Sequence, residues 1–265
     1  MTDSNTRNKD TRALITGGAQ GLGLAVAKQL VREGCKAVAL VGRSEEKGAT
    51  AVAALETLGA EAVFIRADIS DPTICLWAVD EATSRFGTIN GLVNAAAASD
   101  RGTLLDTTPE LFNYLFNTNV RGPFFLSQGV VKGLVEAEAP GSIVNVMSMT
   151  AHAGLPYLTP YSASKGALGV LTKNVAHSYR YKRIRCNAVL PGWMDTEGED
   201  MVQKKWHGAS DGWLEEAEAG QPMGQLVKPD QLAVLIAYMI SPQSGVMTGA
   251  LVDYDQYVAG AFWDD

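Results

Sequence analysis

Short apolar runs alternate along the chain with longer stretches whose apolar positions recur at helical spacing. Ala13–Thr16, Ala37–Val41, Ala62–Arg66, Gly91–Asn94, Ser142–Met147, Arg185–Leu190 and Ala250–Val252 read as seven short strands. Helical patterns fall between them at Leu22–Arg32, Glu45–Leu58, after the cap signal Asp71-Pro72, over roughly 109–137, over roughly 161–181 and at Pro229–Ile240. Gly34 and Gly59 close the first two helices. This alternation predicts an α/β fold, a doubly wound parallel sheet of about seven strands with helices on both faces. The pattern lapses between Trp193 and Gln225. Long irregular insertions in compact domains are usually functional, so a lid is expected at about 193–225. Met1–Asp10 is polar without an apolar centre and reads as a flexible tail rather than a signal peptide, which leaves 11–265 as one domain.

Composition narrows the partners. The chain has 265 residues, 46% of them apolar and 19% charged, enough for a full core. Its net charge of −7 is spread along the sequence, and no basic stripe suits nucleic acid. The densest basic run, Arg180 to Arg185, falls at a predicted helix end, where the helix dipole accounts for it as well as a docking patch does. Cys35, Cys75 and Cys186 have neither metal nor redox spacing and suit a reducing compartment. The longest apolar run, Leu232–Ile240, is too short to cross a bilayer. The expectation is a cytoplasmic, soluble protein with a small-molecule substrate and no metal.

Two stretches carry chemistry. Gly17, Gly21 and Gly23 lie between the first strand and first helix, where a pyrophosphate would meet backbone N–H groups and the positive helix end. A tight turn needing glycine is the plainer explanation of that spacing. Tyr161 and Lys165 are four apart and share a helix face, so an ammonium there would lower the phenol's pKa from ~10 and make it a general acid/base. Ser148 stands at a strand's carboxyl end, where ligands of open α/β sheets bind. At the end of the second strand Gly42, Arg43 and Ser44 offer no carboxylate to a ribose 2′-OH. An arginine able to grip a 2′-phosphate favours NADP(H), with NAD(H) possible if Arg43 stacks on adenine or is merely solvated.

Thr16-Gly-Gly-Ala-Gln-Gly-Leu-Gly23, Ser148 and Tyr161-Ser-Ala-Ser-Lys165, in this order, resemble the short-chain dehydrogenase/reductase family in its single-domain branch. The resemblance implies a Rossmann-like fold, hydride transfer between a nicotinamide and an alcohol or ketone, and assembly as dimers or tetramers through the helices at 109–137 and 161–181. It assigns Ser148 to the substrate oxygen, Tyr161 to the proton, and Lys165 to the tyrosine and the nicotinamide ribose. Asn119, with Asn117 as competitor, would hold a water linking Lys165 to solvent. It implies cofactor contacts from Gln20, Leu22, Asp68, Ile69, Asn94, Ala95, Ala96, Pro191, Gly192 and Thr196 besides the glycines, Arg43 and Ser44. Two departures stand out: Asn94-Ala-Ala-Ala97 replaces Asn-Asn-Ala-Gly, and Asp255-Gln-Tyr257 replaces Asp-Gly-Gly. His152 borders the pocket as a candidate substrate contact, as does Trp193. Trp193, Trp206 and Trp213 beside Asp195, Glu197, Glu199 and Asp200 would suit a sugar or polyol, although indoles anchoring the lid explain the pattern equally. A sugar, polyol or cyclic alcohol is the favoured substrate, with 3-oxoacyl thioester reduction and a non-catalytic dinucleotide sensor as alternatives.

Overall fold

The computed structural model describes residues 6–261. β1 (Arg12–Thr16), β2 (Ala37–Gly42), β3 (Glu61–Arg66), β4 (Gly91–Asn94), β5 (Gly141–Val146), β6 (Ile184–Pro191) and β7 (Leu251–Tyr254) form one sheet in the order β3-β2-β1-β4-β5-β6-β7. Every pairing is parallel, with Thr16 opposite Val41 on one side and Asn94 on the other. The strands read as near-continuous apolar runs because both faces are covered. Successive side chains of β1 part company: Ala13 and Ile15 enter one core, Leu14 the other. α1 (Gly21–Arg32), α2 (Glu45–Thr57) and α9 (Pro229–Ile240) cover the first face; α3 (Pro72–Phe86), α5 (Gly122–Glu136) and α6 (Thr159–Tyr179) cover the second. The order reverses between β1 and β4, and there the carboxyl ends of the strands open a crevice.

Local chemistry explains most helix starts. Asp71 accepts from the Thr73 amide at 2.7 Å with Pro72 in the first turn, and Thr108 does the same for Leu111 at 3.2 Å before α4 (Pro109–Phe116).

Three expectations need correction. The long helix at 109–137 is not continuous: a π turn, Asn117–Arg121, separates α4 from α5. Pro123 has no N–H to give the Asn119 carbonyl four residues back, so regular α-helix cannot pass this point with its ladder intact. The lid is helical rather than irregular, built from α7 (Glu197–His207) and α8 (Trp213–Ala219). Residues 6–10, assigned to a tail, pack on the body. Asn8 is fully buried and donates to Glu33 at 2.7 Å and to the Ala237 carbonyl at 3.1 Å, while Arg7 pairs with Glu33. Glu33, buried at the end of α1, requires those donors. Residues 1–5 of the expected tail lie outside the described residues.

Among the described residues no helix is long and apolar enough to cross a membrane, and no group of three or more His, Cys, Asp or Glu is placed to hold a metal ion. Cys35, Cys75 and Cys186 are free and buried, and burial pushes their thiols up to about 11, 12 and 12.

Candidate active site

A cleft of about 1880 Å³ lies over the crevice between β1 and β4. Its floor is main chain. Gly17 (φ 65°) and Gly21 (φ 50°) take left-handed conformations that favour glycine. A Cβ on Gly17 would stand 3.0 Å from the Ala96 backbone, and one on Gly23 would run into the Gly17 carbonyl. The Thr16 hydroxyl fixes the facing loop, accepting from the Ala95 and Ala96 amides at 3.1 Å each. Alanine in place of the resembling family's Asn and Gly is therefore tolerated, because backbone groups make these contacts. Gln20 precedes α1 but gives it no side-chain cap. Its carboxamide oxygen instead accepts from Lys47 at 2.5 Å. First-turn amides without a side-chain cap, beside glycines that admit close approach, fit a pyrophosphate.

The expected dinucleotide contacts fall largely together. Gly17, Gln20, Gly21, Leu22 and Gly23 line the cleft with Arg43 and Ser44 at the end of β2. Arg43 is exposed, and the Ser44 hydroxyl caps α2 by accepting from Lys47 N–H at 3.4 Å. Asp68 and Ile69 line it after β3, Ala95 and Ala96 after β4, and Pro191, Gly192 and Thr196 after β6. Asp68 also accepts from the Ser70 amide at 2.9 Å, and Thr196 caps α7 through the Glu199 amide at 3.1 Å. Asn94 does not join them. It is buried and donates to Asn145 at 2.8 Å, which in turn donates to Thr172 at 2.9 Å, so its carboxamide ties β4 to β5 and α6. Interior register, with the side chain turned into the sheet, places it there.

Ser148 and Tyr161 form the opposite wall. Ser148 ends the strand β5 feeds and caps a single 3-10 turn, accepting from the Thr150 amide at 3.2 Å. Burial pushes the Tyr161 phenol up to about 12; the nearby Ser148 hydroxyl opposes that rise, Glu199 adds to it and Arg101 opposes it. The expectation that Lys165 lowers this phenol is thus not met here. Lys165 lies one helical turn on, but its ammonium sits 5.6 Å from the centre of the tyrosine ring and donates to the Val146 carbonyl at 2.9 Å. Lys165 is almost wholly buried, and burial alone lowers it to about 8. Low polarity penalises the charged form of each group. Asn119 is buried below, donating to the Ala98 carbonyl at 2.9 Å and the Ser164 hydroxyl at 3.0 Å and accepting from the Ala98 amide at 2.9 Å. Its side chain is fully engaged. Only its carbonyl, deprived of a helical N–H by Pro123, is placed to do more.

The segment 193–225 borders the far side and is held by side-chain bonds. Trp193 donates to Glu199 at 2.8 Å and stacks on Trp213 at 5.9 Å; Trp213 donates to Asp200 at 2.8 Å. These indoles tie Glu199 Oε1 and Asp200 Oδ1 into the segment. Lys228 bonds Asp195 at 2.7 Å and Glu218 at 2.5 Å. Gln256, the unexplained residue near the carboxyl end, donates to the Gln225 carbonyl at 2.8 Å and accepts from the Met223 amide at 2.8 Å. His152 borders the cleft with its imidazole held by Asp253 at 2.8 Å. Arg101, Tyr157 and His207 also line this side, though nothing in the sequence marked them. An arginine in a polar loop is ordinarily a solvated charge, and only the fold brings His207 to it from 106 residues away.

Comparison with known proteins agrees with this geometry. A family model described as enoyl-(acyl carrier protein) reductase matches residues 17–256. The chain is 32% identical over 252 residues to 2-(S)-hydroxypropyl-CoM dehydrogenase 3 of Xanthobacter autotrophicus, covering 95% of this chain and 97% of that one. It is 31% identical over 248 residues to L-2,3-butanediol dehydrogenase of Corynebacterium glutamicum, covering 92% and 96%. A crystal structure of an actinorhodin polyketide ketoreductase variant with NADPH superposes with a TM-score of 0.85 at 30% identity, covering 92% and 96%. The chain belongs to the short-chain dehydrogenase/reductase family. It is an oxidoreductase of the kind that uses a nicotinamide dinucleotide.

Proposed function

We propose that this protein interconverts a secondary alcohol and a ketone with NADP(H) as the preferred cofactor. The observation that carries the reading is that the Ser148 and Tyr161 side chains are set in the wall of the same cleft whose floor is the glycine loop. The glycines and the first-turn amides of α1 would hold the pyrophosphate, and Arg43 the 2′-phosphate. Pro191, Gly192 and Thr196 would border the nicotinamide, which when bound supplies or receives the hydride. Ser148 orients the substrate oxygen, and Tyr161 gives that oxygen a proton during reduction or takes it during oxidation. Its high pKa keeps the phenol protonated and ready to donate. Lys165 supplies positive charge beneath the ring, and the Asn119 carbonyl holds a water on the proton's route to solvent. Relatives named for a hydroxypropyl and a butanediol substrate support a CH–OH centre.

A relative named 3-oxoacyl-[acyl-carrier-protein] reductase, 29% identical over 244 residues, favours a second reading, reduction of a 3-oxoacyl thioester. Against it, Arg183 and Arg185 of the basic run bond main-chain carbonyls, Arg183 at 2.7 Å to Glu138 and Arg185 at 3.0 Å to Ser241, so they serve the fold more than a docking patch. A non-catalytic dinucleotide sensor would have no use for paired hydroxyls in the cleft wall. Assembly as a dimer or tetramer through α5 and α6 fits the exposed Phe124 and Val170 on those helices.

The test is Tyr161→Phe. Turnover should fall about 10²–10⁴-fold, measured by nicotinamide absorbance, while cofactor affinity by fluorescence titration stays the same. Unchanged turnover removes Tyr161 from the mechanism.

A further inference from the structure

Arg101 stands in the loop after β4, on the cleft wall that faces the lid. Its Nη1 donates to the Ser99 carbonyl at 2.8 Å, and its Nη2 lies 3.3 Å from His207 Nε2. The guanidinium carbon is 5.7 Å from the centre of the Tyr157 ring, against which His207 also packs edge-on at 5.6 Å. Its Nε is buried and has no acceptor. No carboxylate among the described residues pairs with this cation. Neighbouring Asp100 is paired with Lys205 at 3.6 Å, and Glu199 is held by Trp193 and by Gln203 at 2.6 Å.

A guanidinium cannot shed its proton to escape this position, and a buried N–H left unpaired is destabilising. Such an arrangement is completed by an anion. The Ser99 main-chain carbonyl at Nη1, the His207 ring at Nη2 and the Tyr157 ring beside it hold the planar guanidinium in place, and the N–H groups these contacts leave over match a carboxylate. Arg101 and Tyr161 line the same cleft.

We propose that Arg101 anchors a carboxylate on the substrate, so that the enzyme acts on a hydroxy acid and its oxo acid. This rests on the oxidoreductase reading and narrows its substrate class away from neutral sugars. In reduction the ketone carbon of the oxo acid gains the hydride, its oxygen gains the Tyr161 proton, the nicotinamide is oxidised, and the carboxylate is unchanged.

The test compares acetoacetate and levulinate with their methyl esters, using NADPH and NADH, in wild type, Arg101→Ala and Arg101→Lys. Wild type should prefer each acid to its ester in kcat/KM, and Arg101→Ala should cut that preference about 10- to 100-fold, chiefly through KM of the acids. Arg101→Lys should restore part of it, because a charge returns without the fork. Equal use of acid and ester by wild type, or an equal loss on both in Arg101→Ala, overturns the proposal. A parallel arm separates it from the catalytic reading: levulinate binding to Tyr161→Phe loaded with the oxidised cofactor, measured by calorimetry. Binding that is lost on adding Arg101→Ala supports the anion site even where no carbonyl turns over, and absent binding overturns it. An organosulfonate ketone of the same length serves as the competing anion; tighter binding of the sulfonate than of levulinate overturns the choice of carboxylate.

Discussion

At the glycine loop the wall of the cleft is main chain, and at the lid it is side chain. Around Gly17 and Gly23 neighbouring backbones approach so closely that a Cβ has no room, and Thr16 braces the facing loop with two bonds to amides. The lid is held by partners that reach across solvent-facing gaps: Lys228 to Asp195 and Glu218, Gln256 to the 221–225 segment, indoles to carboxylates. The first arrangement fixes a shape for a ligand that is always the same. The second permits movement and sequence change where a substrate enters, since surface ion pairs contribute only about 0–1 kcal/mol each. Rigidity and replaceability are thus divided between two sides of one cleft.

Perturbing each side should expose that division. The largest effect is expected at the floor: Gly23→Ala forces the turn apart against the Gly17 carbonyl, with a stability loss of about 1–3 kcal/mol in denaturant melts and near-complete loss of cofactor binding. Cofactor affinity unchanged by Gly23→Ala would show that the floor is not close-packed in the sense argued. Arg43→Ala comes next, weakening NADP(H) about 10- to 100-fold with little change for NAD(H); an equal loss of both refutes the 2′-phosphate assignment.

Between the two walls sits the proton chemistry, and its pH response is specific. Burial lowers Lys165 from 10.5 to about 8, so the ammonium is present below about 8 and is lost as pH rises through it. The phenol stays protonated throughout that range because burial raises it to about 12. Ketone reduction should therefore be flat below about pH 8 and decline above it, and kcat/KM measured across that interval checks this. A profile still level well above pH 8 would show that the Lys165 charge is dispensable. The same shift bears on the fold: the native state binds Lys165's proton less tightly than the unfolded chain, so this residue's contribution to stability rises between about pH 8 and 10.5. The smallest effect belongs to the lid. Gln256→Ala should raise substrate KM about threefold and cost no more than about 1 kcal/mol, with cofactor affinity untouched. A collapse of cofactor binding in Gln256→Ala would mean that the two walls are not independent.

The contrast also explains which parts of the molecule could be read from the chain. β1 through β7 and the main helices were legible because burial on both faces leaves apolar runs, and helix packing leaves a regular period. Gly17, Gly21 and Gly23 were legible because a close backbone approach admits one residue type. Tyr161 and Lys165 were legible as a pair because their proximity is helix geometry. The π turn had a visible cause in Pro123, whose missing N–H was there to be read. Asn94 looked like a cofactor contact until its register turned it into the sheet, toward Asn145.

By itself, then, the sequence determined the sheet, the glycine turn after β1 and the spacing of Tyr161 and Lys165, because each depends on neighbours a few positions away. Only the tertiary structure decided that residues 6–10 belong to the body, that Gln256 bonds the 221–225 segment and that Arg101 faces the cleft without a carboxylate partner among the described residues. It decided too that the tyrosine and lysine are both driven toward neutrality. These outcomes hang on burial and on partners distant in sequence, such as Arg101 and His207, or Met223 and Gln256. Desolvation and pairing act only once the chain has closed around a group.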